Sequence, residues 1–409
     1  MEERLNTVVI GGGQAGLSIS YYLTEQDREH VVLEKDRPGE AWRSKKWDSF
    51  TLVTPNRQMQ LPGFGYEGDD PHGFLTRDEV VQTIDDFIGS FDPPLRLGVK
   101  ALSVEGKRDG FTVETDAGSV DARNVVVATG TFQKPRIPTF SQGISPPVTQ
   151  MHSSRYRNPE RLPPGAVLVV GSGQSGCQIT EELYESGREV YLSTSRVGRA
   201  PRRYRGKDFT WWLDNMGFVD RTVDQLDSPA ERFDPNPHVT GKDGGHTLNL
   251  HQFALDGVTL LGRLEGARGP EVHAADDLHE NLAAADKGAT EMKKGVDTFI
   301  EKAGIDAPKE DEKELRAGYD AEVITELDLA SAGIRTIVWA TGYAFDFSGL
   351  VKFPIWDEFG YPVQERGVTE VPGLYFLGLH WMHTIKSGLF AGIADDAAYV
   401  AEQIDGRSQ

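Results

Sequence analysis

An α/β fold with two doubly wound parallel sheets is predicted by two observations: a glycine-rich turn occurs twice, and each copy lies between an apolar run and an amphipathic stretch. Gly11-x-Gly13-x-x-Gly16 follows Val8-Val9-Ile10, and Gly171-x-Gly173-x-x-Gly176 follows Val167-Leu168-Val169-Val170, 160 residues further on. A turn of this kind between a buried strand and a helix lets the backbone approach a pyrophosphate, which then rests on the helix N-terminus. One copy alone is weak evidence, because glycine turns between strands and helices are common. Two copies in the same context predict two Rossmann-like dinucleotide-binding domains, with Gln14, Ala15, Ser172, Gln174 and Ser175 completing the loops.

The residues beyond each loop assign the nucleotides. The strand His30-Val31-Val32-Leu33 ends at Glu34, followed by Lys35, 23 residues after Gly11. A carboxylate there accepts hydrogen bonds from a ribose diol and suits an adenosine without a 2′-phosphate, as in FAD. The same offset from Gly171 falls on Thr194, followed by Ser195 and Arg196. Hydroxyls and a guanidinium in place of the acid suit a 2′-phosphate, so the second loop is read as an NADPH site. The alternative is that Arg196 is one more solvated charge in a segment that also holds Arg199, Arg202, Arg203 and Arg205, which leaves NADH open.

A chain of 409 residues, 38% hydrophobic and with 45 glycines, is long enough for two or three α/β domains with a sizeable core. Met1-Glu2-Glu3-Arg4 leads directly into the first strand without the charged and apolar regions of a secretory signal, and no apolar run approaches the ~20 residues of a membrane span. A cytoplasmic protein is expected. The formal net charge of −20 argues against nucleic acid or an anionic membrane as partner. Cys177 is the only cysteine, so a redox-active dithiol is excluded, and its place in the first turn of the second nucleotide helix suits packing against the sheet.

Along the chain, an aromatic and basic segment runs from Trp42 to Arg57, and an amphipathic helix is expected over Arg77 to Phe91. Strands at Leu102-Ser103-Val104 and Phe111-Thr112-Val113 precede the buried run Val125-Val126-Val127-Ala128, which leads to Thr129-Gly130. The proline-rich stretch Pro135 to Pro164 reads as a connection. The expected division is residues 1–160 for the first part of the FAD domain, 161–345 for the NADPH domain inserted within it, and 346–409 for the return. The second domain is interrupted over about 200–320 by a mostly helical insertion and closes with Ile337-Val338-Trp339-Ala340-Thr341-Gly342-Tyr343, mirroring Ala128-Thr129-Gly130. In the insertion Leu278, Leu282, Ala285, Ala289, Met292, Val296 and Phe299 recur at helical spacing behind an Asp276-Asp277 cap. That apolar face has three expected uses: core packing, a wall of the substrate pocket, or a homodimer interface.

Four motifs together carry a resemblance over nearly the whole chain: Gly11-Gly12-Gly13-Gln14-Ala15-Gly16, Gly39-Glu40-Ala41-Trp42-Arg43, Gly171-Ser172-Gly173-Gln174-Ser175-Gly176, and Trp339-Ala340-Thr341-Gly342-Tyr343. The sequence resembles the class B flavin monooxygenases, which include flavin-containing monooxygenases, plant indole-pyruvate monooxygenases and Baeyer-Villiger monooxygenases. Trp47 to Asn56, Leu61-Pro62-Gly63-Phe64 and Leu250-His251-Gln252-Phe253 are similar to a bacterial branch often encoded beside nitrilases, which suggests a nitrogen-containing substrate. The resemblance implies that NADPH reduces FAD and that one atom of O2 passes through a C4a-hydroperoxyflavin to a small-molecule soft nucleophile, at N, S or carbonyl carbon. It also implies flavin contacts from Trp42, Thr129, Gly378 and Ser387, and NADPH contacts from Ala340 and Thr341.

The chain departs from the family pattern in two places. The fingerprint histidine corresponds to His152, displaced by an insertion after Phe140-Ser141-Gln142-Gly143, and in this family it is mostly read as domain-linking. Oxygenating members carry an asparagine two residues before a proline near the flavin. Here Val53 holds that place, and Thr54 and Asn56 flank Pro55 as the candidate catalytic groups. A reductase or oxidase that releases peroxide or passes electrons to a carrier is therefore the alternative. No His/Cys metal cluster or paired-carboxylate signature stands out.

Overall fold

In the computed structural model, which describes residues 4–145, 147–310 and 314–406, the two apolar runs become central strands of two separate sheets, the first mixed with a parallel core and the second all parallel. In the first sheet Arg4–Ile10 lies between His30–Glu34 and Gly118–Val127, with Ile10 level with Leu33 and Val127. Leu95–Leu97 extends the sheet beyond His30–Glu34. The ten-residue strand Gly118–Val127 serves two neighbours: its first half pairs antiparallel with Gly110–Thr115, and its end takes up Leu374–Phe376 in parallel. Val8, Val9, Val125, Val126, Leu374 and Phe376 are fully buried. Helices cover both faces of such a sheet, so its inner strands read as unbroken apolar runs.

Thr149–His152, Ile334–Trp339, Ala166–Val170, Val190–Ser193 and Thr259–Leu261 form the second sheet in that order, all parallel. Two of these strands were not legible. Thr149–His152 lies inside the proline-rich stretch expected to be only a connection, yet it satisfies the edge of Ile334–Trp339, and Gln150 accepts from the indole N–H of Trp339 at 3.1 Å. Thr259–Leu261 comes from the insertion, which holds more than helices. It also supplies the hairpin Arg203–Tyr204/Lys207–Asp208 and an antiparallel sheet of Leu264–Arg268, Glu271–Ala274 and Glu326–Asp328.

The helix expected over Arg77–Phe91 has those bounds. The Thr76 hydroxyl accepts from the N–H of Glu79 while the Glu79 carboxylate accepts from the N–H of Thr76, and Val80, Ile84 and Phe87 are buried. The long helix Leu278–Ala303 turns Leu278, Leu282, Ala285, Ala289, Val296 and Ile300 into the molecule. Its first turns join the main core, and its end packs with Tyr204 and Trp212, where Met292 and Phe299 lie half-buried. Core packing therefore accounts for the apolar face. Its start corrects the expected cap: Asp277 stands at the N-cap position, but its carboxylate accepts from the backbone N–H of Arg263 and the side-chain NH2 of Asn281, not from a backbone N–H of the helix. No helix among the described residues is long and apolar enough to cross a membrane.

Candidate functional site

The two glycine loops are near-copies in detail. Gly11 and Gly171 sit at φ +110° and +104°, where a Cβ would lie 2.6 Å from the Ala128 carbonyl and 2.7 Å from that of Ala340. Only glycine takes that conformation so close to a neighbouring chain. A Cβ on Gly16 or Gly176 would fall 1.8 or 1.7 Å from the carbonyl of Gly11 or Gly171. Gly13 and Gly173, by contrast, face open space. They are the N-caps of Gln14–Glu25 and Gln174–Glu185, neither has a side-chain cap, and neither helix has an acid in its first turn. The free amides and positive helix end suit a pyrophosphate, and the open side at Gly13 and Gly173 leaves room for one.

Around the first loop, Glu34 is buried, and its carboxylate accepts from the N–H of Gly12 at 2.7 Å and of Asp36 at 2.8 Å. Lys35 is exposed at the surface and faces Asp36. The Gln14 amide links two distant segments: its oxygen accepts from the Trp42 indole at 3.1 Å, and its nitrogen donates to the Gly388 carbonyl at 2.6 Å. Gly378, at φ +78°, brings the returning segment onto Ala15, 2.7 Å from where its own Cβ would be. The Ser387 hydroxyl is occupied by the N–H groups of His383 and Thr384, so it shapes the turn before Phe390–Gly406. Thr129 is exposed and accepts from Gln133.

The second loop departs from the expectation at its reading residues. Thr194 is buried, donating to the Leu261 carbonyl and accepting from Asn281, because the strand Thr259–Leu261 and the long helix both cover it. Its hydroxyl is engaged on both sides within the protein. Ser195 donates its N–H to the Ser172 hydroxyl at 2.9 Å and stays at the loop. Arg196 is exposed and ion-paired with Glu280 of the long helix. The Thr341 hydroxyl donates to the Arg136 carbonyl, while Ala340 backs Gly171. Gln174 repeats the part of Gln14: its amide bonds both to the carbonyl and to the N–H of Val239.

That contact seats a residue the sequence did not single out. His238 is fully buried with both ring nitrogens unpartnered, close to Ser172 and Arg199. Burial, and then Arg199, lowers its pKa from the ordinary 6.5 to about 4. The folded ring stays neutral where the unfolded one is charged, so unfolding takes up a proton between about 6.5 and 4. We expect stability to be full above pH 6.5 and to fall as pH drops through that window, with His238→Gln flattening the slope in denaturant melts run at several pH values.

The candidate catalytic segment is held from both sides. Asn56 is buried, donates its side-chain N–H to the Asp70 carbonyl at 2.9 Å, and leaves its oxygen unpartnered. Thr54 is half-buried beside Val53, whose carbonyl accepts from Arg202 at 2.7 Å. Arg57 pairs with Asp214 of Phe209–Asn215, so the insertion docks on this segment. His152 sits between the two linkers, bonded to the Gly342 carbonyl at 3.0 Å and edge-on to Tyr343, a geometry that suits domain linking. Cys177 is fully buried, and burial pushes its thiol pKa up, so no reactive thiolate forms there. Among the described residues no group of three or more His, Cys, Asp or Glu is placed to hold a metal ion.

Two nucleotide loops on two parallel sheets, with no dithiol between them, define a two-dinucleotide oxidoreductase. Residues 8–215 match the pyridine nucleotide-disulphide oxidoreductase family, and this chain belongs to it. It is 32% identical over 406 residues to the CzcO-like oxidoreductase of Geobacillus kaustophilus, covering 99% of each. It is also 29% identical over 184 residues to the indole-3-pyruvate monooxygenase YUCCA1 of Oryza sativa subsp. japonica, covering 44% of this chain and 45% of that one. The fold is that of the flavin-containing monooxygenase from Stenotrophomonas maltophilia, with a TM-score of 0.69 at 19% identity over the full length of both. Membership makes the chain a flavin-dependent oxidoreductase that draws on a pyridine nucleotide.

Proposed function

We propose that the chain is an FAD-dependent monooxygenase that uses NADPH and O2 to transfer one oxygen atom to a small soft nucleophile. The observation that carries this reading is the pair of matched open loops in a chain whose one thiol is buried, since electrons from the flavin then have no disulfide to reduce. FAD is assigned to the first loop, with Glu34 toward the ribose diol and Gln14 tying Trp42 and Gly388 around the cofactor. NADPH is assigned to the second. When bound, the flavin supplies the redox chemistry with O2, and the side chains position the reactants and exclude water. YUCCA1 and the 4-hydroxybenzoate brominase of Marinomonas mediterranea, 26% identical over 298 residues, carry names of aromatic acid substrates, which supports a small aromatic acid here as well.

Coenzyme choice turns on the Arg196–Glu280 pair. Freed by Glu280→Gln, Arg196 should lower KM for NADPH, and Arg196→Ala should raise it about tenfold while changing KM for NADH little. Equal effects on both coenzymes would remove the 2′-phosphate assignment. A second reading, an NADPH oxidase releasing peroxide, is favoured by the engagement of the Asn56 amide with Asp70. One experiment separates the two: reduce the protein anaerobically with NADPH, admit isotopically labelled O2 with candidate amines, sulfides, ketones and 2-oxo acids, and assay label in the product against peroxide. Label in product supports the monooxygenase. Stoichiometric peroxide with every candidate supports the oxidase.

A further inference from the structure

At the carboxyl edge of the first sheet an ammonium stands among aromatic rings with no charged partner. The Nζ of Lys46 lies 4.8 Å from the ring centre of Phe50, 5.2 Å from Trp42 and 5.8 Å from Phe132. Among the described residues it makes no hydrogen bond or ion pair. Lys46 is half-buried, and ring faces attract an ammonium weakly compared with the hydration it gives up there, so the charge has capacity left for an anion. Its place is the crevice where ligands of open α/β sheets bind. Trp42 is bonded to Gln14 of the first loop. Phe132 follows the strand that ends at Val127, and its ring meets Tyr343 beyond the second sheet and His380 beyond Leu374–Phe376. Phe132 is also 52% exposed, so one wall of the cage opens to solvent and offers a ring face to an incoming molecule.

We propose that Lys46 is the anion-binding post of the substrate pocket and that the pocket takes aromatic carboxylates: the carboxylate meets the ammonium while the ring packs on Phe132. This deepens the proposed function and rests on its assignment of the flavin to the first loop, whose Gln14 holds Trp42. Burial, with repulsion from Lys45, brings the Lys46 pKa down to about 8. The other groups facing this corner are His380, kept neutral by burial, the Tyr343 phenol, raised by burial, and Arg157, whose guanidinium bonds the Lys46 carbonyl. Lys46 is thus the group here that loses its positive charge just above neutral pH. Carboxylate binding should weaken as pH rises past about 8.

The test is a titration of the oxidised, flavin-loaded protein with phenylacetate and with its neutral isostere 2-phenylacetamide, read by perturbation of the flavin spectrum. We expect phenylacetate to bind at least about tenfold more tightly than the amide. Lys46→Gln should abolish that preference, and Lys46→Arg should keep it but remove the weakening at high pH. Equal binding of acid and amide by the natural protein overturns the proposal. So does Lys46→Gln with unchanged phenylacetate affinity, including the case in which that variant shifts only the flavin reduction potential. If Lys46→Gln fails to fold, Lys46→Arg and the pH profile of the natural protein carry the test. Because nothing is turned over, failure of oxygen transfer leaves this measurement standing, and failure of this measurement leaves oxygen transfer untouched.

Discussion

Gly176→Ala should leave a yellow protein whose flavin NADPH no longer bleaches, while Gly16→Ala should purify without its flavin. A Cβ at either position would fall within 1.8 Å of a carbonyl oxygen in its own loop, 1.8 Å for Gly16 and 1.7 Å for Gly176. The obstacle is backbone, which cannot rotate aside like a side chain. The loop must therefore open, displacing the amides that face the pyrophosphate. Overpacking of this kind costs about 1–3 kcal/mol, roughly five- to 150-fold in affinity if it falls on the bound state. Gly13→Val and Gly173→Val test the same assignment differently, because a Cβ there meets no protein atom within 4 Å and the added side chain grows into the open side of the loop. Flavin content, and the rate of bleaching under anaerobic NADPH, read out both pairs. Normal bleaching in Gly176→Ala and Gly173→Val would show that the second loop is not the pyridine nucleotide site.

Arg202→Ala should destabilise the protein by about 3–5 kcal/mol and lower turnover with it. The side chain is 1% exposed and forks onto Asp208, with Nε to Oδ2 at 2.8 Å and one terminal nitrogen to Oδ1 at 2.9 Å. Its other nitrogen donates to the Val53 carbonyl, and the guanidinium lies 4.3 Å from the ring centre of Phe74. Removing it leaves the Asp208 carboxylate half-desolvated and unpaired, and frees the backbone one residue before Thr54. The Asp208 carboxylate also accepts from the N–H of Thr210, so the cap of Phe209–Asn215 weakens together with the pair. Arg202→Met with Asp208→Leu should recover part of the stability, since it removes both charges and keeps apolar volume. It should not recover turnover if the tether to Val53 is what positions Thr54 and Asn56. Denaturant melts and steady-state turnover of the three proteins decide this. A loss under about 1 kcal/mol in Arg202→Ala would mean that the pair is solvated in solution.

Legibility followed the range of the forces involved. The capped helix Arg77–Phe91 could be read because Thr76 and Glu79 act on each other three residues apart. The strand Thr149–His152 could not, because four residues become a strand only when Ile334–Trp339 offers an edge. Arg196 shows the same limit at the site: its residue type and offset suit a phosphate, and its partner in the structure is a carboxylate 84 residues away.

By itself, the sequence determined the two nucleotide loops, the sheets they leave and the absence of a dithiol. Gly11, Gly16, Gly171 and Gly176 are dictated by steric contacts within a turn, and the runs at Val8 and Val167 by burial on both faces of a sheet. Only the tertiary structure decided which polar groups meet. It brought Lys46 among Trp42, Phe50 and Phe132, seated Arg202 on Val53, and buried His238 beside Ser172. A charge is tuned by whatever the fold carries within a few ångströms of it, and no local pattern in the chain records that distance.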